Sequence, residues 1–243
     1  MNEEQPELSA LEKMLERRTF LKVAALGVLA AGCNAAPGDT TSKLLGASQR
    51  FNDWVQGAMF SRARLVPEFA ESELTPLSGF RVNGKDDDAP KFDKAAWRLE
   101  VKGLVKTPGV FTIEQIRSMP KKVQNTKHIC VEGWSINPKW GGTVLAGLLA
   151  AVGADPDAKY LYAECADGYY VPYDMPSALH PQTLLCYEAY NAPLSLDHGA
   201  PLRIVMPTKL GYKSAKWLTK LTVTNEKPGG YWEDQGYDWY AGI

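Results

Sequence analysis

His128-Ile129-Cys130-Val131-Glu132-Gly133-Trp134-Ser135 is the stretch on which the reading of this chain turns. A cysteine taken alone is most often an inert, buried small hydrophobe. Here Gly133 and Trp134 follow it closely, and Trp140-Gly141-Gly142 come a few residues later. Glycine lets another group approach the backbone, so this neighbourhood suits a flat ligand pressed against main chain.

Composition narrows what that ligand can be. The 243 residues are 45% hydrophobic and 23% charged, enough for one generous core, or a core and a long arm. Lys and Arg number 27 against 28 Asp and Glu, so no basic excess exists to neutralise a phosphate backbone, and nucleic-acid binding is set aside. The three histidines, His128, His180 and His198, have no His or Cys partner at zinc spacing. Nor does any C-x-x-C-H or four-cysteine run offer a place for haem or an iron–sulfur cluster. Metal chemistry would therefore lean on one cysteine and an organic cofactor.

Two basic segments lie downstream: His198-Gly199-Ala200-Pro201-Leu202-Arg203 and Gly211-Tyr212-Lys213-Ser214-Ala215-Lys216-Trp217. An arginine fork binds phosphate oxygens bidentately and a lysine binds them as a point charge. On charge alone the same residues would serve as a solvated basic turn.

Around these motifs the pattern is one of short strands and few helices. Alternation predicts strands at 97–101, 159–165, 184–189, 202–205 and 220–224. A short helix is expected over 111–119, opened by Thr112 and stopped by Pro120, and another over 144–152, ended by Gly153. Without a regular βαβ rhythm, the class is α+β.

The first residues read as an address. Arg17-Arg18-Thr19-Phe20-Leu21-Lys22 precedes an apolar stretch from Val23 to Ala31. That stretch is shorter than the ~20 residues a bilayer requires, and it resembles the body of a twin-arginine export signal. The expected organisation is a signal peptide over 1–36, an arm over 37–75 and a single domain over 76–243. Ala30-Ala31-Gly32 suits a signal peptidase, and Cys33 suits a lipid acceptor. The resemblance implies a periplasmic protein handed over folded to the twin-arginine translocase, with a lipid anchor at Cys33 as an open possibility.

In order along the chain, Cys130-x-x-Gly133-Trp134, Trp140-Gly141-Gly142, Ala166-Asp167-Gly168-Tyr169, His198-Gly-x-Pro-Leu-Arg203 and Gly211-x-Lys213-x-x-Lys216-Trp217 resemble the sulfite oxidase family of molybdopterin enzymes. The tail Pro228-Gly229-Gly230-Tyr231-Trp232-Glu233 is similar to the end of its bacterial single-domain members. This resemblance implies the sulfite oxidase-type fold of mixed sheets and one molybdenum–molybdopterin per chain, with no haem, iron–sulfur cluster or zinc. It places Cys130 as the metal's thiolate ligand and catalytic residue. His198 and Arg203 fall where the family touches the pyranopterin and its phosphate, and Lys213, Ser214, Ala215 and Lys216 fall in its phosphate loop. Phe80, Arg81 and Asn83 lie in an early segment that also meets the cofactor, and Cys165 at a strand end that faces it in some relatives.

Such a cofactor carries two-electron oxygen-atom transfer on a small molecule, and electrons exchanged with a cytochrome c or a membrane cytochrome b. Family members that oxidise sulfite hold the anion with several arginines, whereas between Trp97 and Pro201 this chain has only Arg98 and Arg117. A neutral oxide or small polar substrate is therefore favoured, with Arg81 the one arginine expected near the metal. The alternatives are an S- or N-oxide reductase of the methionine sulfoxide type and a non-catalytic exported binding protein that keeps the fold. Tyr169, Tyr170 and Tyr173 would pack in the core or lend a hydroxyl to the site. In an oxidising compartment Cys165 and Cys186 could pair, although a Cys165 facing the cofactor would oppose that.

Overall fold

The computed structural model describes residues 39–84, 89–93 and 95–243, so the expected export signal, its Arg17-Arg18 pair and Cys33 lie outside the described residues. Contacts divide the chain into two units, Met1–Arg50 and Phe51–Ile243. Helix α1 (Asp39–Met59) begins in the first, within the stretch read from sequence as an arm. In the second unit its inner side is tied down by Asp53, which pairs with Lys227 at 2.7 Å, and by Gln56, whose amide donates to Asp238.

Two five-stranded sheets and a two-stranded one form the second unit's sheet structure. Strands β1 (Leu99–Gly103) and β2 (Gly109–Phe111) are followed by helix α2 (Ile113–Arg117) and strand β3 (Lys121–Asn125). The two-residue strands β4 (His128–Ile129) and β5 (Ser135–Ile136) precede β6 (Lys139–Val144), helix α3 (Leu145–Ala151), and strands β7 (Tyr160–Cys165) and β8 (Tyr170–Asp174). Helix α4 (Met175–Ala178), β9 (Leu184–Ala189), β10 (Ala192–Pro193), β11 (Arg203–Val205) and β12 (Leu218–Thr224) complete the order. One five-stranded sheet runs β2-β1-β12-β7-β8 and the other β10-β9-β6-β3, with β11 also on β9, while β4 paired with β5 makes the two-stranded one. The pairing of β1 with β12 is parallel and the remaining pairs are antiparallel.

The local reasons are those the residues supply. In β7 exposure alternates strictly, with Leu161, Ala163 and Cys165 turned inward. In α3, Leu145, Leu148 and Leu149 sit one turn apart and are fully buried. Thr112 and Gln115 cap α2 reciprocally, each side chain accepting from the other's backbone N–H. That helix is shorter than the stretch predicted, because Phe111 pairs with Leu99 in the sheet. The main core joins Trp97, Leu99, Leu148, Leu161, Leu202, Ile204 and Leu221, and a second one gathers Phe80, Trp140, Leu184, Leu194 and Val205.

The mixed sheets match the expected α+β class, while the short strands β2, β4, β5 and β10 and the longer β3, β6 and β8 escaped the sequence pattern. In β6 four consecutive residues are buried, so no alternation shows. The Lys-rich β3 lies at a sheet edge, as does β8, where Pro172 stands opposite Tyr162; an edge is where a strand tolerates proline. The close approach expected at Gly141-Gly142 is real, but its occupant is protein. A Cβ on Gly142 would lie 2.3 Å from the Leu185 carbonyl of β9.

Gly142→Ala should therefore destabilise the fold by about 1–3 kcal/mol through overpacking. Gly147→Ala, on a helical position with nothing within 4 Å of the added methyl, should stabilise it by about 0.5–1 kcal/mol. Urea denaturation of both variants checks the pair; equal effects would show that the β6–β9 approach does not constrain residue 142.

Candidate cofactor site

Cys130 directly follows the short strand β4 and opens a loop returning along β5. Its N–H donates to the Trp134 carbonyl at 2.9 Å, and its carbonyl accepts from Gly133 N–H at 3.1 Å. Gly133 has φ +86° and open space around it, so glycine is required here for the turn and not for a close approach. The loop presents Cys130, Val131, Glu132 and Trp134 to a cavity of about 200 Å³. Asn83, His128, Asp167, Tyr169, Arg203, the 211–217 loop without Lys213, Trp232 and Tyr237 line the rest. A smaller hollow of about 30 Å³ shares Asn83, His128, Trp134, Arg203 and Lys216 and adds Phe80, Arg81 and His198.

The cationic end is built on Arg203, the first residue of β11. One Nη donates to the His198 carbonyl and the other to the Ser214 carbonyl, both at 3.0 Å, and the guanidinium stands 5.1 Å from the Trp140 ring. Burial lowers its pKa to about 10, which leaves it charged at ordinary pH. Lys216 donates to the Asp197 carbonyl at 2.9 Å and lies over Trp217. Burial, and then Arg203 beside it, bring Lys216 down to about 8.

His198 is held at both ring nitrogens, by Ser195 Oγ at 2.7 Å and by the Phe80 carbonyl at 3.1 Å, and it stacks on Phe80 at 3.8 Å. A carbonyl can only accept, so Nε2 carries the proton and Nδ1 accepts. Ser214 Oγ accepts from Met206 N–H at 3.3 Å, and Ala215 is buried in the cavity wall.

At the other end the Asn83 amide donates to Glu132 at 3.1 Å and lies 3.5 Å from Cys130 Sγ, while Trp134 Nε1 donates to the same carboxylate at 2.9 Å. Burial raises the Cys130 pKa, and the Glu132 carboxylate adds to this. Arg81 lies over the Trp134 ring at 5.4 Å, in the smaller hollow.

Two residues of the expected set stand elsewhere. Lys213 is buried behind its loop, donating to the Pro172 carbonyl at 3.1 Å and to Glu233, since its backbone turn directs it away from the cavity its neighbours line. Cys165 closes β7 inside the main core and does not line the cavity. Cys165 and Cys186 are both free thiols, on strands of different sheets. His128 was not foreseen, although it opens the decisive motif. Enclosure lowers its pKa to about 3, helped by Arg203, and the neutral ring offers one donor and one acceptor. Tyr169 and Tyr173 spend their hydroxyls on the carbonyls of Tyr212 (2.6 Å) and Lys213 (2.7 Å).

A pyranopterin with an anionic phosphate and a thiophilic metal fits this donor set. Among the described residues, Arg203 Nε and Trp140 Nε1 are buried without a hydrogen-bond partner, and both residues line the smaller hollow. Buried donors call for an acceptor. No group of three His, Cys, Asp or Glu among the described residues could hold a metal unaided, so Cys130 would share one with ligands from elsewhere.

A family model described as an oxidoreductase molybdopterin binding domain matches residues 86–232. A protein of Azospira oryzae, named as a subunit of a protein-methionine-sulfoxide reductase, is 44% identical over 229 residues, 93% of this chain and 87% of its own. The catalytic subunit of such a reductase from Ralstonia nicotianae is 27% identical, over 94% of this chain and 75% of its own. Among solved structures, the sulfane dehydrogenase SoxCD of Paracoccus pantotrophus matches with a TM-score of 0.54 and 27% identity. That match covers 57% of this chain and 41% of the other.

In cofactor-free protein, alkylation without denaturant should modify Cys130 ahead of Cys165 and Cys186, and reductant should leave the masses of their peptides unchanged. Peptide mass spectrometry reads both results. Early labelling of Cys165 would place that thiol in the cavity after all.

Proposed function

The chain belongs to the family of oxidoreductases with a molybdopterin-binding domain, and on that premise we propose that it reduces S-oxides of the methionine sulfoxide type. The balance is a sulfoxide, two electrons and two protons giving a sulfide and water. When bound, the molybdenum cofactor supplies the two-electron exchange of an oxygen atom, and the protein supplies orientation, electrostatics and access. Arg203, Lys216 and Ser214 would hold the phosphate end, and Cys130 the metal.

One observation carries the choice of substrate: the residue beside Cys130 is the carboxylate Glu132, held by the neutral donors Asn83 and Trp134. A carboxylate there repels an anion such as sulfite, and it can hold or hand on a proton when a neutral oxide is reduced. The names of the Azospira and Ralstonia relatives support the same substrate class.

Electrons would come from a separate cytochrome, a soluble c-type or a membrane b-type protein. Export of the folded, loaded protein by the twin-arginine route, to the periplasm, accords with the Arg17-Arg18 segment.

The test is metal and pterin content of the purified protein, then turnover with a reduced dye as electron donor. Expected are a molybdenum-to-chain ratio near unity, loss of the metal's signal in Cys130→Ala, and reduction of methionine sulfoxide. Glu132→Gln should slow that reduction by about a hundredfold or more. Efficient oxidation of micromolar sulfite would overturn the substrate, and folded protein without molybdenum or pterin would point to a binding protein that keeps the fold.

A further inference from the structure

We propose that the buried Lys213–Glu233 ion pair is a positioning device, tying the loop at the cofactor's anionic end to the aromatic rim of the same cavity and so setting how firmly pterin is retained. The inference rests on the reading of the cavity as a molybdopterin site. Residues 211, 212, 214, 215, 216 and 217 all line the cavity. Lys213 alone in that run points the other way, with 2% of its side chain exposed against 3% for Glu233. Glu233 follows Trp232 and opens the single turn Glu233–Gln235, beyond which Tyr237 returns to the cavity. Trp232 and Tyr237 sit with ring centroids 5.1 Å apart at the rim. The pair therefore joins the loop, through Lys213, to the rim segment, through Glu233, and the same ammonium also donates to the Pro172 carbonyl of β8.

Burying two charges is a poor way to gain stability. Desolvation offsets most of the attraction, and apolar replacements of similar volume are often neutral or better. What the pair supplies that two apolar side chains would not is a directional link, with an ammonium that must meet both a carboxylate and a carbonyl. The loop is already held at other points. Tyr169 and Tyr173 donate to the carbonyls of Tyr212 and Lys213, and Leu210 N–H donates to the Ala241 carbonyl at 2.9 Å. Those bonds fix its backbone against β8 and the residues near 241. The Lys213–Glu233 link relates that backbone to Trp232 and Tyr237.

The experiment compares full-length wild-type protein, purified with its cofactor, with Lys213→Met, Glu233→Gln, the double variant Lys213→Met/Glu233→Met, and Glu233→Asp. Two quantities are read: the unfolding temperature, and the rate at which pterin is lost on dialysis, followed by the fluorescence of its oxidised form. Each single loss of charge should lower the unfolding temperature, because it leaves the partner uncompensated. The double variant should recover the wild-type unfolding temperature and yet release pterin about tenfold faster, the size of effect seen when groups supporting a ligand are removed. Recovery of both quantities together would show the pair to be structural only and would overturn the proposal. Should the double variant not fold, Glu233→Asp decides, since it keeps the charge and shortens the reach. Faster release at an unchanged unfolding temperature supports the positioning role, and wild-type release refutes it. Wild-type protein free of pterin would overturn the molybdopterin reading, and this inference with it; a loaded wild type with an equally retentive double variant would overturn this inference alone.

Discussion

A guanidinium does not give up its charge at ordinary pH, so each donor it takes out of water must find an acceptor. Arg203 is buried to 5% exposure, and its two Nη groups meet that demand by reaching the carbonyls of His198 and Ser214. These two carbonyls belong to the two basic segments that flank it in sequence. The arginine thus fastens both segments to β11, and β11 is fastened to β9 through the pairing of Arg203 with Cys186. The rest of the cavity follows. His198 carries its ring to Phe80, and Ser214 leads to Ala215 and Lys216. Arg203 Nε remains a donor with no acceptor among the described residues.

The cavity is electrically lopsided as a result. Arg203 and Lys216 line one side, with Asp167 acting on Lys216, while Glu132 stands beside Cys130 and, among the described residues, accepts from the neutral donors Asn83 and Trp134. Between them His128 is neutral, its proton driven off by enclosure and by the arginine. A ligand that spans the cavity meets two cations and one carboxylate, Asp167, at one end and the carboxylate of Glu132 at the other. An anionic group and a neutral reacting group on one elongated assembly match that gradient.

How much of this was legible in the sequence depended on how each signal is written. The class, and strands such as β7 and β9, could be read because alternation or a continuous apolar run survives in a single segment. Strand β6 could not, since it is buried on both faces and rich in glycine, and β8 was hidden by a proline that only an edge permits. At the site, motif order located Cys130, Asn83, Arg203, Ser214 and Lys216 within one cavity. It failed for Lys213, because membership of a basic motif does not say which way a side chain turns. Only the tertiary partner Glu233, twenty residues on, reveals that direction. His128 was missed for the opposite reason: a histidine without a nearby ligand carries no sequence signal, and its position becomes evident only when Gly211 packs against it.

The wall formed by residues 210–216 is braced by Asp238 and Ala241, through Tyr212 Oη at 2.6 Å and Leu210 N–H at 2.9 Å. Ribosomes make the wall first and its braces afterwards. The pocket is thus incomplete on a nascent chain whose synthesis has reached residue 216 but not residue 241. An emerging polypeptide offers no finished pocket, so a ligand that needs the braced wall meets it only once residues 238–241 are in place.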